Sequence, residues 1–161
     1  MDVFDAKLLN LVQQNNRLTT EQISDAVGLS PTACQRRLKR FRDNGTIAAD
    51  IAVVSPEAVG RRMTMIVQVS LEREQPEYLD NFKQSMLSTP EVMQCYYVTG
   101  SADFILILTA KDMKDYEDFT RRIFFNNPNI QRFNTSVVMD HVKVGLAVPI
   151  TANDEPPQPV A

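Results

Sequence analysis

Between Cys34 and Arg42 the chain carries Arg36, Arg37, Lys39, Arg40 and Arg42, with no acidic residue among them. Cationic groups at this density are suited to neutralising phosphate, and an arginine fork can also pair with the edge of a guanine. The 161-residue chain as a whole is acidic, with 17 Lys and Arg against 20 Asp and Glu and a net charge of −3. The positive charge is therefore local. A charge run by itself is equally well a solvated face, so its meaning depends on the element that carries it.

Cys34, Leu38 and Phe41 are spaced four and three apart, the interval of one helical face. A helix in that register turns Thr32, Gln35, Arg36, Lys39 and Arg40 outward. Ser30-Pro31 predicts its start, because serine accepts from the exposed first-turn amides and proline at the first helical position loses no hydrogen bond. Asn44-Gly45 predicts its end. Before it, Thr19-x-x-Gln22 has the spacing of a capping box, Ile23, Ala26 and Val27 supply an apolar face, and Gly28 supplies a tight turn. A first helix over 3–15 follows from Phe4, Leu8, Leu11 and Val12, capped by Asp2 and broken at Asn15-Asn16.

Three short helices with a glycine turn between the second and third make a helix-turn-helix over residues 1–50. A three-helix bundle of no function explains the apolar spacing equally well. It does not explain why the third helix gathers charge of one sign on its outward face. The N-terminal half of such a helix meets base edges in the major groove. Thr32, Gln35 and Arg36 are the base-contact candidates, since Gln pairs with adenine and Arg with guanine. Arg37, Lys39, Arg40 and Arg42 suit phosphate, although Arg37 could instead bridge to an acid within the domain. Ser30 caps the helix, and its hydroxyl could also meet a phosphate.

From residue 51 the pattern changes. Ile47 to Pro56 reads as a strand and hinge, with 51–60 as the linker. Alternation of Met63, Met65, Val67, Val69 and Leu71 predicts a strand in which Ile66 is out of place. Leu79, Phe82 and Met86 predict a helix over 77–88. Strands follow at Val92 to Val98 and Phe104 to Ala110, then a helix over 112–125. A fourth strand runs through Phe133, Thr135, Val137 and Met139, extended or followed by another as far as Val148. The order strand, helix, strand, strand, helix, strand is the ferredoxin-like βαββαβ arrangement, assigned to residues 61–150. The chain is thus α+β: a winged helix-turn-helix domain, then a ferredoxin-like domain. Two helices cover one face of a four-stranded sheet, yet Phe104 to Leu108 is apolar on both faces, and a second copy of the sheet is the simplest cover. A homodimer is expected. Residues 151–161, with three prolines, read as a disordered tail.

Other chemistries find little support. Cys34 and Cys95 lie far apart without CxxC spacing, which argues against a disulfide framework or a zinc site, and no metal or cofactor is expected. His141 is the sole histidine and forms no recognisable catalytic dyad with either cysteine. The first residues lack the basic start and apolar run of a signal peptide, and no apolar stretch reaches membrane-spanning length, so a cytoplasmic location is expected. Gly100 and Asp103 flank a short connection between strands, where a hairpin turn explains both: Gly for its φ, Asp for local hydrogen bonds.

Several runs together resemble a known family. Asp5, Leu8 and Leu9, then Asn16-Arg17-Leu18, then Val27 through Leu38 with its Ser-Pro-x-x-Cys-x-x-Arg core, then Gly45-Thr46-Ile47, are similar to the N-terminal domain of the leucine-responsive/asparagine-operon (Lrp/AsnC) regulators. Pro90-Glu91-Val92 and Tyr97-Val98-Thr99-Gly100-Ser101-Ala102-Asp103 resemble the effector-domain motif of that family. The resemblance spans residues 3–148. It implies a bacterial or archaeal transcription regulator that binds double-stranded DNA, dimerises through its C-terminal sheet, assembles further into octamers or other rings, and senses an amino acid between dimers. By the same resemblance Thr99, Gly100, Ala102 and Asp103, with Thr135, form the effector pocket. Two other functions stay open. One is an enzyme of the same fold resembling a siroheme decarboxylase, which would be expected to lose the basic third helix and keep a haem-contacting histidine. The other is a stand-alone metabolite sensor acting through protein partners.

Overall fold

The computed structural model describes residues 1–152, so the expected tail lies outside the described residues from 153 onward. The described residues divide into two compact units, Met1–Ala52 together with 143–152, and Val53–Val142.

The first unit is built on α1 (Val3–Val12), α2 (Thr20–Val27) and α3 (Pro31–Asp43). Each begins where a side chain takes up orphan amides. Asp2 accepts from Asp5 N at 2.7 Å, Thr19 forms a reciprocal box with Gln22, and Ser30 accepts from Ala33 N at 3.3 Å. Gly28 closes α2 at φ +80°, a conformation that side chains rarely adopt. Leu8, Leu9, Ile23, Val27, Cys34, Leu38 and Phe41 form the core. Phe4, expected on the apolar face of α1, is 38% exposed, and Asp5 is buried in the first turn instead. Ala26 is exposed as well, so α2 packs through Ile23 and Val27 alone.

The strand expected over 47–56 does not form, and with it the wing is missing. Residues 48–55 pair with no strand, and Ile51, Val53 and Val54 are exposed, because a strand needs a hydrogen-bonding neighbour. A single 3₁₀ turn at Glu57–Val59 leads on. The region assigned to 61–150 also ends earlier in space. Gln13 receives Val148 N at 3.0 Å and donates to Val148 O at 2.7 Å, Asn10 donates to Ile150 O, and Ile150 packs on the first core. No strand follows β4 among the described residues.

The second unit contains β1 (Met63–Leu71), α4 (Pro76–Leu87), β2 (Val92–Tyr97), β3 (Phe104–Ala110), α5 (Met113–Thr120) and β4 (Ile130–Val137). The sheet order is β2-β3-β1-β4, antiparallel throughout, the ferredoxin-like order. Met65, Val67, Val69, Phe104, Leu106 and Leu108 are fully buried beneath Phe82 and Met86 of α4 and Tyr116 and Phe119 of α5. Ile66 is not out of place. It pairs with Ile107 on the opposite face, beside Ile105 opposite Gln68, so an apolar strip runs across the face that the helices leave open. The helix expected over 112–125 keeps its span but widens to a π turn at Arg121–Phe125, which sets Phe124 against Phe119 in the core and leaves Phe125 exposed. Among the described residues no helix is long and apolar enough to cross a membrane.

Candidate nucleic-acid interface and effector loop

Thr32, Gln35 and Arg36 lie exposed on the N-terminal half of α3. The cations of the same helix are not equivalent. Arg37 donates to Asp2 Oδ2 at 2.6 Å and to Asp5 Oδ1 at 2.5 Å, so it bridges to acids within its own unit. Arg40 donates to the same Asp5 Oδ1 at 2.8 Å. The Asp5 side chain is 8% exposed, and a carboxylate so placed needs compensating donors. These two arginines therefore hold α3 on α1. Lys39 pairs with Asp43 at 2.6 Å and Arg42 with Asp50 at 2.8 Å, both at the surface. Such exposed pairs are weak and exchange readily for a stronger anion. Among the cations of this helix, Arg36 alone has neither an ion pair nor a side-chain hydrogen bond to the described residues.

The electrostatics follow the partners. The Asp5 amide and then the Arg37 guanidinium hold the Asp2 carboxyl below the usual carboxylate range. Arg42 does the same for Asp50. Burial pushes the Cys34 thiol up, as expected of a small core residue. In the sequence Asp5 stands only within the run that carries the family resemblance, and the periodicity does not show it as a buried acceptor for Arg37 and Arg40. Its signal was the pair Asp2 and Asp5 at cap spacing opposite an unbalanced basic helix. Thr20 was also missed: Gln35 Nε2 donates to its hydroxyl at 3.2 Å, joining the base-contact candidate to the start of α2.

In the second unit Thr99, Gly100, Ala102 and Asp103 come together in the hairpin between β2 and β3. Gly100 has φ +125°, and a Cβ there would meet nothing within 4 Å, so backbone conformation rather than space selects glycine. Asp103 is the hub of the turn. Its carbonyl accepts from Val98 N at 2.9 Å, its amide donates to Val69 O at 3.0 Å, and its carboxylate accepts from Leu71 N at 2.7 Å. Arg132 of β4, which sequence reasoning did not single out, donates to Ser101 O at 3.2 Å and to Ser70 Oγ at 3.4 Å. The amides of 99–102 make no hydrogen bond among the described residues and remain available as donors. Free amides beside a carboxylate offer partners of both signs, as the two charged ends of an amino acid require.

Thr135 does not join this group. It pairs with Val67 on the helix-covered face, and its hydroxyl is hydrogen-bonded to the Tyr116 phenol, whose pKa burial pushes up. His141 hydrogen-bonds Thr64 at 3.1 Å, and Cys95 is exposed on the edge strand β2.

Residues 1–42 match the model of the AsnC-type helix-turn-helix domain, and residues 64–148 match that of the Lrp/AsnC ligand binding domain. An uncharacterized HTH-type transcriptional regulator of Sinorhizobium fredii, y4tD, is 63% identical over 93% of this chain and 89% of its own length. The DNA-binding transcriptional activator DecR of Escherichia coli is 30% identical over 93% of this chain and 99% of its own. A transcriptional regulator of Neisseria meningitidis, solved in complex with L-methionine, superposes with a TM-score of 0.88 at 32% identity, covering 92% of this chain and 96% of that one. A capped, basic third helix and a glycine-aspartate hairpin on a ferredoxin-like sheet thus occur where both family models place their domains, and the chain belongs to the Lrp/AsnC family of transcriptional regulators.

Proposed function

We propose that α3 enters the major groove of double-stranded DNA and reads it through Thr32, Gln35 and Arg36. The observation that carries this reading is the unpaired Arg36 beside Gln35 on the exposed half of a helix whose other cations are engaged. An arginine without a carboxylate partner is the one that can meet a guanine without first breaking an ion pair. Lys39 and Arg42 exchange their surface acids for phosphates, and Ser30 caps the opposite, N-terminal end of the helix, where its hydroxyl can also meet a phosphate. Arg37 and Arg40 mainly hold the unit together, with Arg40, half exposed, still able to reach a phosphate. Residues 1–50, with 143–150 packed on them, are the DNA-binding unit, 51–60 the connection, and 61–142 the effector and assembly region.

The effector in this reading is an amino acid held by the 99–103 hairpin, with Thr135 outside its first contacts. The Neisseria relative's complex with L-methionine makes methionine the first ligand to try. The strip of Ile66, Ile105 and Ile107 supports a homodimer formed through the open sheet face, with dimers assembling to an octamer. A cytoplasmic regulator rather than an enzyme fits the basic helix and the engagement of His141 with Thr64. Calorimetric titration of the full chain with the common amino acids, methionine first, tests the sensing half. Saturable heat with one or a few of them is expected, and no heat with any would remove it.

A further inference from the structure

Of the three side chains assigned to base edges, Gln35 alone is held by another helix. Its Nε2 donates to Thr20 Oγ1 at 3.2 Å, whereas Thr32 and Arg36 carry no side-chain hydrogen bond among the described residues. Thr20 is well suited to act as the anchor. It is the first residue of α2, so a regular element fixes its backbone, and its β-branch restricts χ1 to few positions. Its hydroxyl is not needed for capping, because Thr19 already closes the box with Gln22. The two side chains also border one cleft between the helices, along with Asn16, Lys39 and Arg42.

We propose that Thr20 is a positioning residue for base recognition: its hydroxyl aims the Gln35 amide and thereby sets the base preference at one position of the half-site. This rests on the reading of α3 as the base-reading helix. A glutamine amide has two N–H donors and a carbonyl acceptor. One N–H spent on Thr20 leaves the other N–H and Oε1 free, the pair needed for the N7 and N6 of adenine. A free glutamine on an exposed helix samples many rotamers and pays to be ordered on binding. Tethering it to α2 reduces that cost for the one amide orientation that the tether allows. It therefore favours the matching base more than its competitors, which is specificity rather than general affinity.

The experiment is selection from a pool of randomised duplexes, followed by affinity measurement on the selected sequence and its single-base variants. The full chain is compared with Thr20→Val, Thr20→Ser, Gln35→Ala and the double variant Thr20→Val/Gln35→Ala. Gln35→Ala should lower discrimination at one base pair by roughly 5- to 150-fold. Thr20→Val should relax the same base pair by about 3- to 10-fold, with affinity for the other variants nearly unchanged, and Thr20→Ser should restore the preference. In the Gln35→Ala background Thr20→Val should add nothing, because the anchored group is gone. Thermal unfolding should be the same for all, as valine and threonine have similar helix propensities. If Thr20→Val weakens every sequence equally, or its effect adds to that of Gln35→Ala, Thr20 is an independent backbone contact and the proposal is wrong. If the unaltered chain selects no sequence at all, the reading of α3 fails and takes this proposal with it, a result distinct from the others.

Discussion

The Asp103 carboxylate accepts the backbone N–H of Leu71 at 2.7 Å, at the point where the register between β1 and β4 shifts. The pairing of β1 with β3 ends at Val69 and Phe104, and the Asp103 carboxylate supplies the acceptor for the Leu71 amide just beyond it, so Asp103 is tied into the sheet. Asp103→Ala should therefore destabilise the chain by about 1–3 kcal/mol, the cost of an unsatisfied, partly buried donor. Asp103→Asn keeps a carbonyl acceptor and should unfold near the temperature of the unaltered chain, yet lose the charge that an ammonium would meet. Thermal unfolding and amino-acid titration on both variants check this. Unchanged ligand affinity in Asp103→Asn would make the residue purely structural.

Arg36 and Arg37 are adjacent in sequence and differ in partners: Arg37 is paired with Asp2 and Asp5, and Arg36 has no ion pair among the described residues. Arg36→Ala should leave stability within about 0.5 kcal/mol, as for an exposed residue without partners, while costing roughly 1–3 kcal/mol of preference at one base pair. Arg37→Ala removes a donor from the buried Asp5 and should destabilise the fold by about 1–3 kcal/mol. Thermal unfolding of the two variants side by side decides it. Equal losses of stability would show that the division of roles on α3 is wrong.

Arg42 holds the Asp50 carboxyl below its ordinary range. A depressed folded-state pKa contributes stability above the unfolded value and loses it as pH falls through the folded value. The contribution should thus be constant from neutral pH down to about pH 5 and fade below about pH 4. Asp50→Asn should unfold slightly earlier than the unaltered chain at neutral pH, and the difference should shrink on acidification. A difference that stays constant to pH 3 would mean that the pair does not stabilise the fold.

The strip on the open sheet face makes a prediction about assembly. Ile107→Glu should lower the sedimenting mass of the full chain toward the monomer at micromolar concentration. Leu87→Glu, on an 80% exposed position of α4, should not. Identical sedimentation of Ile107→Glu and the unaltered chain would place the interface elsewhere.

Much of this arrangement was legible before the structure. Capping residues and three- and four-residue apolar spacing marked α2 and α3, because both signals are local to a few residues. Period-two alternation likewise marked β1, and the order of elements implied the sheet. The misses share a cause, which is that they depend on partners distant in sequence. Ile47 to Pro56 reads as a strand and hinge in the sequence, but 48–55 has no neighbour to pair with. Ile66 looked misplaced until Ile107 stood opposite it. The cap spacing of Asp2 and Asp5 is local, but the contacts of Asp5 with Arg37 and Arg40, and of Arg132 with Ser70 and Ser101, join residues that no spacing rule brings together. Thr135 was assigned to the pocket through family resemblance, and the register turned it to the other face.

In the proposed function Arg36 and its neighbours read a DNA sequence, and an amino acid changes how they do so. The most direct measurement is retention of fragmented DNA from the source genome by the full chain, with and without a panel of amino acids, beside Arg36→Ala. The expected result is enrichment of a small set of fragments carrying paired half-sites about one helical turn apart, or a multiple of it. At least one amino acid should change their retention roughly 5- to 150-fold, and Arg36→Ala should lose the enrichment while still binding bulk DNA. Retention of all fragments in proportion to their abundance, unaltered by any amino acid and identical in Arg36→Ala, would contradict the account.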